Sequence, residues 1–224
     1  MALENQFVKL GGTFLAPVKE INSFLINIKA FVFDWDGVFN DGRKTNDSDS
    51  SFSEIDSMGI NMLRFDYWLR NNRIPKIFII SGMKNQTAIE FSKREHFDGI
   101  FLNIKNKTEA LDSICSKNNI VAKEIAFMFD DILDIEVAKA SGLSFFVGRK
   151  SNPLLTDYVK QNKICNYISA FSGENHAIRE TCELLIGLSG DYNRALELRI
   201  QFKGEYEEYI NKRNAINTDV MMFQ

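Results

Sequence analysis

From about residue 28 the chain alternates short apolar runs with longer amphipathic stretches. The runs cover residues 28–33, 77–80, 100–102, 125–129 and 143–147, with Lys29 the one charge in the first. Runs this short and this apolar predict strands buried on both faces of a parallel sheet. Between them the apolar residues take helical spacing. Ile60, Leu63, Tyr67 and Trp68 share one helical face, as do Leu111, Ile114 and Cys115, and again Ile178, Cys182 and Leu185. Strand–helix alternation predicts an α/β fold, a three-layer, Rossmann-like arrangement with right-handed crossovers. Such sheets bind ligands beyond the carboxyl ends of their strands, so strand ends are where chemistry is expected.

Two regions break the rhythm. Residues 41–57 are short and polar, as expected of a loop or a small β-hairpin projecting from the sheet, with the hairpin placed at about 42–57. Residues 189–224 mix Tyr192, Leu196, Ile200 and Phe202 with charges, which predicts one more helix and a loose tail. The expected organisation is an N-terminal extension over 1–27, one core domain over 28–188 and a helical tail over 189–224.

Composition narrows the class. The 224 residues are 45% hydrophobic and 25% charged, at globular averages, which excludes a mostly disordered chain. The 27 basic and 30 acidic residues nearly cancel, without a long run of either sign, so no nucleic-acid or membrane partner is expected. Three scattered cysteines make neither a disulfide framework nor a zinc site, and no signal peptide precedes the core, so a cytoplasmic protein is expected. The 19 Phe read as core.

Acidic residues collect at the strand ends. The first run enters Asp34-Trp35-Asp36-Gly37, two carboxylates one residue apart and a Gly that permits a sharp turn. Alone this is an ordinary Asp-rich turn. The second run ends in Ser81-Gly82, where Ser either caps a helix or donates to a phosphate. The third is followed by Lys107, a solvated lysine or a point charge for a phosphoryl oxygen. The fourth ends in Asp130-Asp131-Ile132-Leu133-Asp134, a poor packing solution but a good set of oxygen ligands for Mg²⁺. Each element alone is weak; their order along one sheet edge is not.

That order resembles the haloacid dehalogenase-like (HAD) superfamily of phosphotransferases over residues 28–187. The resemblance implies that Asp34 is the nucleophile, Asp36 the general acid/base, Ser81 the phosphate-binding hydroxyl with Gly82 beside it, and Lys107 the motif lysine. It implies Mg²⁺ held by Asp34, Asp36 and Asp130, with Asp131 or Asp134 in support. The short intervals from Asp34 to Ser81 and from Ser81 to Lys107 leave no room for a cap domain. The chain is therefore most similar to the capless branch that contains 3-deoxy-D-manno-octulosonate 8-phosphate phosphatases and nonulosonate 9-phosphate phosphatases. It is also similar to the C-terminal module of some acylneuraminate cytidylyltransferases. The shared phrases include Asp34–Val38, 52–60 (FSEIDSMGI), 152–155 (NPLL) and 177–180 (AIRE). In that branch a hairpin builds a homotetramer whose neighbouring subunits close each site. The implied substrate is a phosphorylated sugar acid, with Asp56 and Arg179 near its pocket.

Three departures stand out: Met83 follows Ser81-Gly82, Phe129 precedes Asp130, and Ile55 precedes Asp56. They keep two alternatives open, a non-catalytic assembly module on the same fold and a phosphatase for an unrelated small phosphate ester. Of the other residues, His176 is expected either on a substrate carboxylate or on the surface, and His96 in solvent. Trp35 is expected in packing, and Tyr206 and Tyr209 on an exposed helix face or an oligomer contact.

Overall fold

Five apolar runs become five adjacent strands. The computed structural model describes residues 3–45 and 48–223. In chain order its elements are α1 (Leu3–Leu10), β1 (Thr13–Phe14), α2 (Val18–Leu25), β2 (Ala30–Asp34), α3 (Glu54–Asn71), β3 (Lys76–Ile80), α4 (Gln86–Arg94) and β4 (Gly99–Leu102). There follow α5 (Lys107–Asn118), β5 (Ile125–Phe129), α6 (Ile135–Ala140), β6 (Leu143–Phe146), α7 (Pro153–Gln161), β7 (Tyr167–Ile168) and α8 (Ala177–Ser189). The chain then forms α9 (Tyr192–Gln201), α10 (Glu205–Asn214) and β8 (Asp219–Met222). One sheet results, in the order β1-β7-β6-β5-β2-β3-β4-β8, with every pair parallel except β1 with β7.

Two-residue alternation splits the strands between two cores. Phe31 and Phe33 of β2, with Ile77 and Ile79 of β3, pack under α3, α4 and α8. Ala30, Val32, Phe78 and Ile80 face the opposite way, against Leu111 and Ile114 of α5 and Val137 of α6. The three predicted helical stripes are buried apart from Cys115, which is half-buried. The three-layer expectation is met, and β2 lies at its centre.

The two irregular regions differ from expectation. The described part of 41–53 is an extended loop with no strand, closed by Thr45 N–H donating to Ser48 O at 2.9 Å, and 54–57 already belong to α3. It bonds to its flanks instead of across a ladder: Asn40 Nδ2, just before it, donates to Ser51 O, and Asp49 Oδ2 accepts from Gln86 N. Positions 46 and 47 of the expected hairpin lie outside the described residues. The C-terminal segment is not loose: it carries two helices, and β8 pairs with β4 at the sheet edge. Its apolar residues follow no single period because they pack by aromatic contact. Tyr206 and Tyr209 are buried against Phe65 and Trp68 of α3, with ring centroids 5.1–6.0 Å apart, rather than exposed. His96 is half-buried, its Nδ1 2.9 Å from Ile216 O.

Candidate active site

Asp34 ends β2, Asp130 follows β5 and Lys107 opens α5, so the central strands deliver them to one edge. Asp134 arrives one turn later, at the start of α6, and is almost fully buried. Carboxylate oxygens of Asp34, Asp130 and Asp134 lie within 4.8 Å of one another. Lys107 Nζ stands between two of them, 2.7 Å from Asp34 Oδ1 and 2.5 Å from Asp134 Oδ1. Arg149, from the loop after β6, pairs with Asp130 Oδ2. Burial opposes the charge on Lys107, yet the two carboxylates hold its pKa above the ordinary lysine value. Burial, reinforced by the Asp34 charge, pushes the Asp134 carboxyl up to about 7 against the pull of Lys107.

Three buried carboxylates thus face two cations, and two oxygens have no hydrogen-bond partner: Asp130 Oδ1 and Asp134 Oδ2. Unsatisfied buried carboxylate oxygens are costly, and a hard divalent cation is the partner whose ligand preference they match. Gly37 makes room for the cluster. Its φ is +91°, and a Cβ there would collide with Asp130 and the Arg149 guanidinium.

Asp36 lies beside this cluster with its carboxylate turned another way. Lys44 Nζ donates to Oδ2 at 2.7 Å, and Ser50 Oγ donates to Oδ1 at 2.5 Å. Trp35 is buried and stacks on Phe39, as its expected packing role requires. Ser81 follows β3, buried, and Asn85 rather than Ser81 caps α4 by accepting from Ala88 N. The Ser81 hydroxyl accepts from Met83 N at 3.4 Å.

A cavity of about 180 Å³ is lined by Asp34, Asp36, Gly82, Lys107, Asp130 and Asp134, together with Asp131, Met83 and Leu133. Ser81 is buried and is not one of the lining residues. Arg149, the partner of Asp130, lines a second groove of about 580 Å³ that also includes Lys150, Ser172, Glu174 and Asn175. Of the substituted positions, only Met83 is at the mouth, 59% exposed. Phe129 points into the core between Phe127 and Phe146.

Asp56 and Arg179 are not brought to this cavity. Arg179, Ile55 and His176 line a different groove, with Phe7 and Leu10 of α1. Asp56 is fully buried beneath it, accepting from Arg179 N at 2.9 Å and lying 3.5 Å from His176 Nδ1. The carboxylate there fastens the first turn of α8 to α3, and burial raises its pKa. The Arg179 side chain is engaged by Glu183 at 2.7 Å.

Sequence reasoning missed Lys44, Ser50, Asn85 and Arg149. The first two sat in a polar stretch with no period to read. Arg149 left one usable signal, a basic pair directly after a strand at the edge where the acids gather.

No family model matches the chain. The 3-deoxy-D-manno-octulosonate 8-phosphate phosphatase of Escherichia coli K12 is 26% identical over 174 residues, 75% of this chain and 85% of that protein. Among solved structures, a probable YrbI-family phosphatase from Pseudomonas syringae superposes with a TM-score of 0.68 at 26% identity, covering 83% of this chain and 99% of the other. The 3-deoxy-D-manno-octulosonate 8-phosphate phosphatase of Moraxella catarrhalis, solved with a magnesium ion, a phosphate ion and KDO, superposes with a TM-score of 0.66 at 22% identity. It covers 80% of this chain and 98% of its own. The resemblance first seen in four short motifs thus extends along most of the chain.

Proposed function

We infer that this chain, a capless HAD protein by motif and fold, is a phosphatase acting on phosphate monoesters, and we propose a phosphorylated sugar acid as its substrate. The octulosonate 8-phosphate and nonulosonate 9-phosphate types fit best. One observation carries the reading: a buried Asp34–Lys107–Asp134 ion cluster with Asp130 against it, at the carboxyl ends of central parallel strands. The names of the relatives support the sugar-acid class. So does the groove beside Arg149 and Lys150, which has room and positive charge for an acidic leaving group.

In this reading Asp34 attacks phosphorus, forming an O–P bond as the ester P–O bond breaks. Asp36 gives its proton to the leaving alkoxide, then takes one from the water that displaces Asp34 and releases phosphate. Lys107 holds Asp34 in place and offers positive charge to the phosphoryl oxygens, with the Ser81 hydroxyl and Gly82 at the same end of β3. Asp34, Asp130 and Asp134, with Asp36 adjacent, would hold Mg²⁺. That ion supplies charge neutralisation, so that an anionic nucleophile can meet an anionic ester. A homotetramer whose copies cover the open mouth belongs to the same reading, and Met83, Ile132 and Leu133, each 59–66% exposed around it, favour such cover. A cytoplasmic location also belongs to it.

The test is phosphate release from 4-nitrophenyl phosphate and from eight- and nine-carbon ulosonate phosphates, with and without Mg²⁺, beside Asp34→Asn. Expected is Mg²⁺-dependent release that the variant loses by at least about 10³-fold. No release from any ester by folded protein returns the assembly module. Release confined to 4-nitrophenyl phosphate returns an unrelated ester.

A further inference from the structure

Asp36 carries the proton in the reaction just proposed, and its carboxylate is held by a hydrogen-bond chain whose Ser50 and Asn85 lie outside every motif. Ser50 is 2% exposed, and its hydroxyl meets three polar atoms. Trp35 Nε1 lies 3.0 Å from Ser50 Oγ, Asn85 Nδ2 lies 2.7 Å away, and Asp36 Oδ1 lies 2.5 Å away. The direction of each bond follows from chemistry. An indole N–H only donates. Asn85 is oriented by α4, because its Oδ1 accepts from Ala88 N at 2.9 Å as the helix cap, which turns its NH₂ toward Ser50. A hydroxyl has two acceptor sites and one proton. Both acceptor sites of Ser50 are taken by N–H donors, so its proton goes to Asp36 Oδ1.

We propose, resting on the phosphatase reading, that Ser50 is a positioning residue for Asp36, with Trp35 and Asn85 fixing the direction of its hydroxyl. Oδ1 is occupied as an acceptor, and Oδ2 is the oxygen that exchanges a proton with the leaving group and with water. Lys44, 27% exposed in its side chain, faces Oδ2 and is the partner that must give way. The loop that presents Ser50 is held at both neighbouring residues, by Asp49 on the first turn of α4 and by Asn40 on Ser51 O. The geometry around Oδ1 is therefore preformed. Trp35, between the two motif carboxylates, serves both core and site: its ring packs, and its one polar atom orients the chain that holds Asp36.

A good leaving group needs little protonation, whereas an alkoxide needs it fully, so misplacing the acid costs the two unequally. The test measures kcat/KM for 4-nitrophenyl phosphate and for a sugar-acid or simple alkyl phosphate, in wild type, Ser50→Ala and Trp35→Phe, with Tm for each. Ser50→Ala is expected to lower kcat/KM for the alkyl ester about 10–100-fold, and that for 4-nitrophenyl phosphate less than about threefold. The loss should fall on kcat with KM little changed. Trp35→Phe, which frees one acceptor site on Ser50, should show the same selectivity at smaller size, and it carries the test if Ser50→Ala does not fold. Equal loss on both esters, or no loss in a folded variant, overturns the positioning role and leaves the phosphatase reading standing. A wild type that turns over neither ester removes that reading, and this role with it.

Discussion

Glu180 shows how much one side chain can carry away from the chemistry. Its carboxylate accepts from Tyr167 Oη at 2.6 Å, Ala170 N at 2.8 Å and Phe171 N at 3.0 Å, tying α8 to the end of β7. Burial outweighs these bonds and raises its pKa above the ordinary 4.5. A raised carboxyl binds its proton more tightly in the folded state. Its contribution to stability is therefore complete below 4.5 and lost as pH rises through the folded value. Glu180→Gln keeps the shape without the titration. The Tm advantage of wild type over Glu180→Gln should widen as pH falls from 8 toward 4.5, as thermal unfolding across that range would read; a gap that widens with rising pH would contradict it. At this scale the sequence was uneven. Asp34 and Asp130 were legible because a charge leaving an apolar run has few structural excuses, and Lys107 only through its place in their order. Phe129 looked like damage to the site and is core, because a one-residue step along a strand reverses the face. Asp56 and Arg179 carry a helix start, a contact between distant segments that spacing cannot show.

Among the elements, the strands were the most legible, since four or five consecutive apolar residues have little choice but a two-sided interior. The C-terminal segment was the least. Phe223 lies tilted against Phe101, ring centroids 6.1 Å apart, and Met221 packs into the second core, yet charged and polar residues separate them from any periodic pattern. Their burial depends on a sheet edge the local sequence does not know about. Deleting residues 217–224 should leave a folded chain with β4 unpaired along its outer edge, a surface prone to pair with other chains. The expected result is a Tm lower by on the order of 5–10 °C, at about 2–4 °C per kcal/mol for a chain of this size. Light scattering should show more association on heating. An unchanged Tm would mean that β8 contributes nothing to the sheet.

For the whole molecule, the balance of charge in the site sets a prediction that does not depend on turnover. Among the described residues, Asp130 Oδ1 and Asp134 Oδ2 are the buried carboxylate oxygens without partners, and both belong to the same cluster. A cation that binds only the folded state stabilises it by about 2.7 kcal/mol at a hundred times its Kd. Mg²⁺ should raise Tm by roughly 5–10 °C, and Asp130→Asn should erase the rise. A wild-type Tm indifferent to Mg²⁺ would count against these carboxylates as ligands. The three-layer arrangement was readable in advance, whereas the central place of β2 and the two outer strands were not. β1 is two half-buried residues and β8 is mostly exposed, and each is specified by the partner it joins.

Strand β8 pairs with β4, yet 120 residues separate the partners in the chain. A ribosome adding roughly 5–20 residues per second needs about 6–24 s to cover that distance. Through that interval the nascent protein carries β2, β3 and β4 with one flank open, while the strand that ends in Asp34 is already made. Newborn chains are therefore most exposed to mispairing in the seconds before the last strand emerges, and translation pauses between α5 and α10 would lengthen that window.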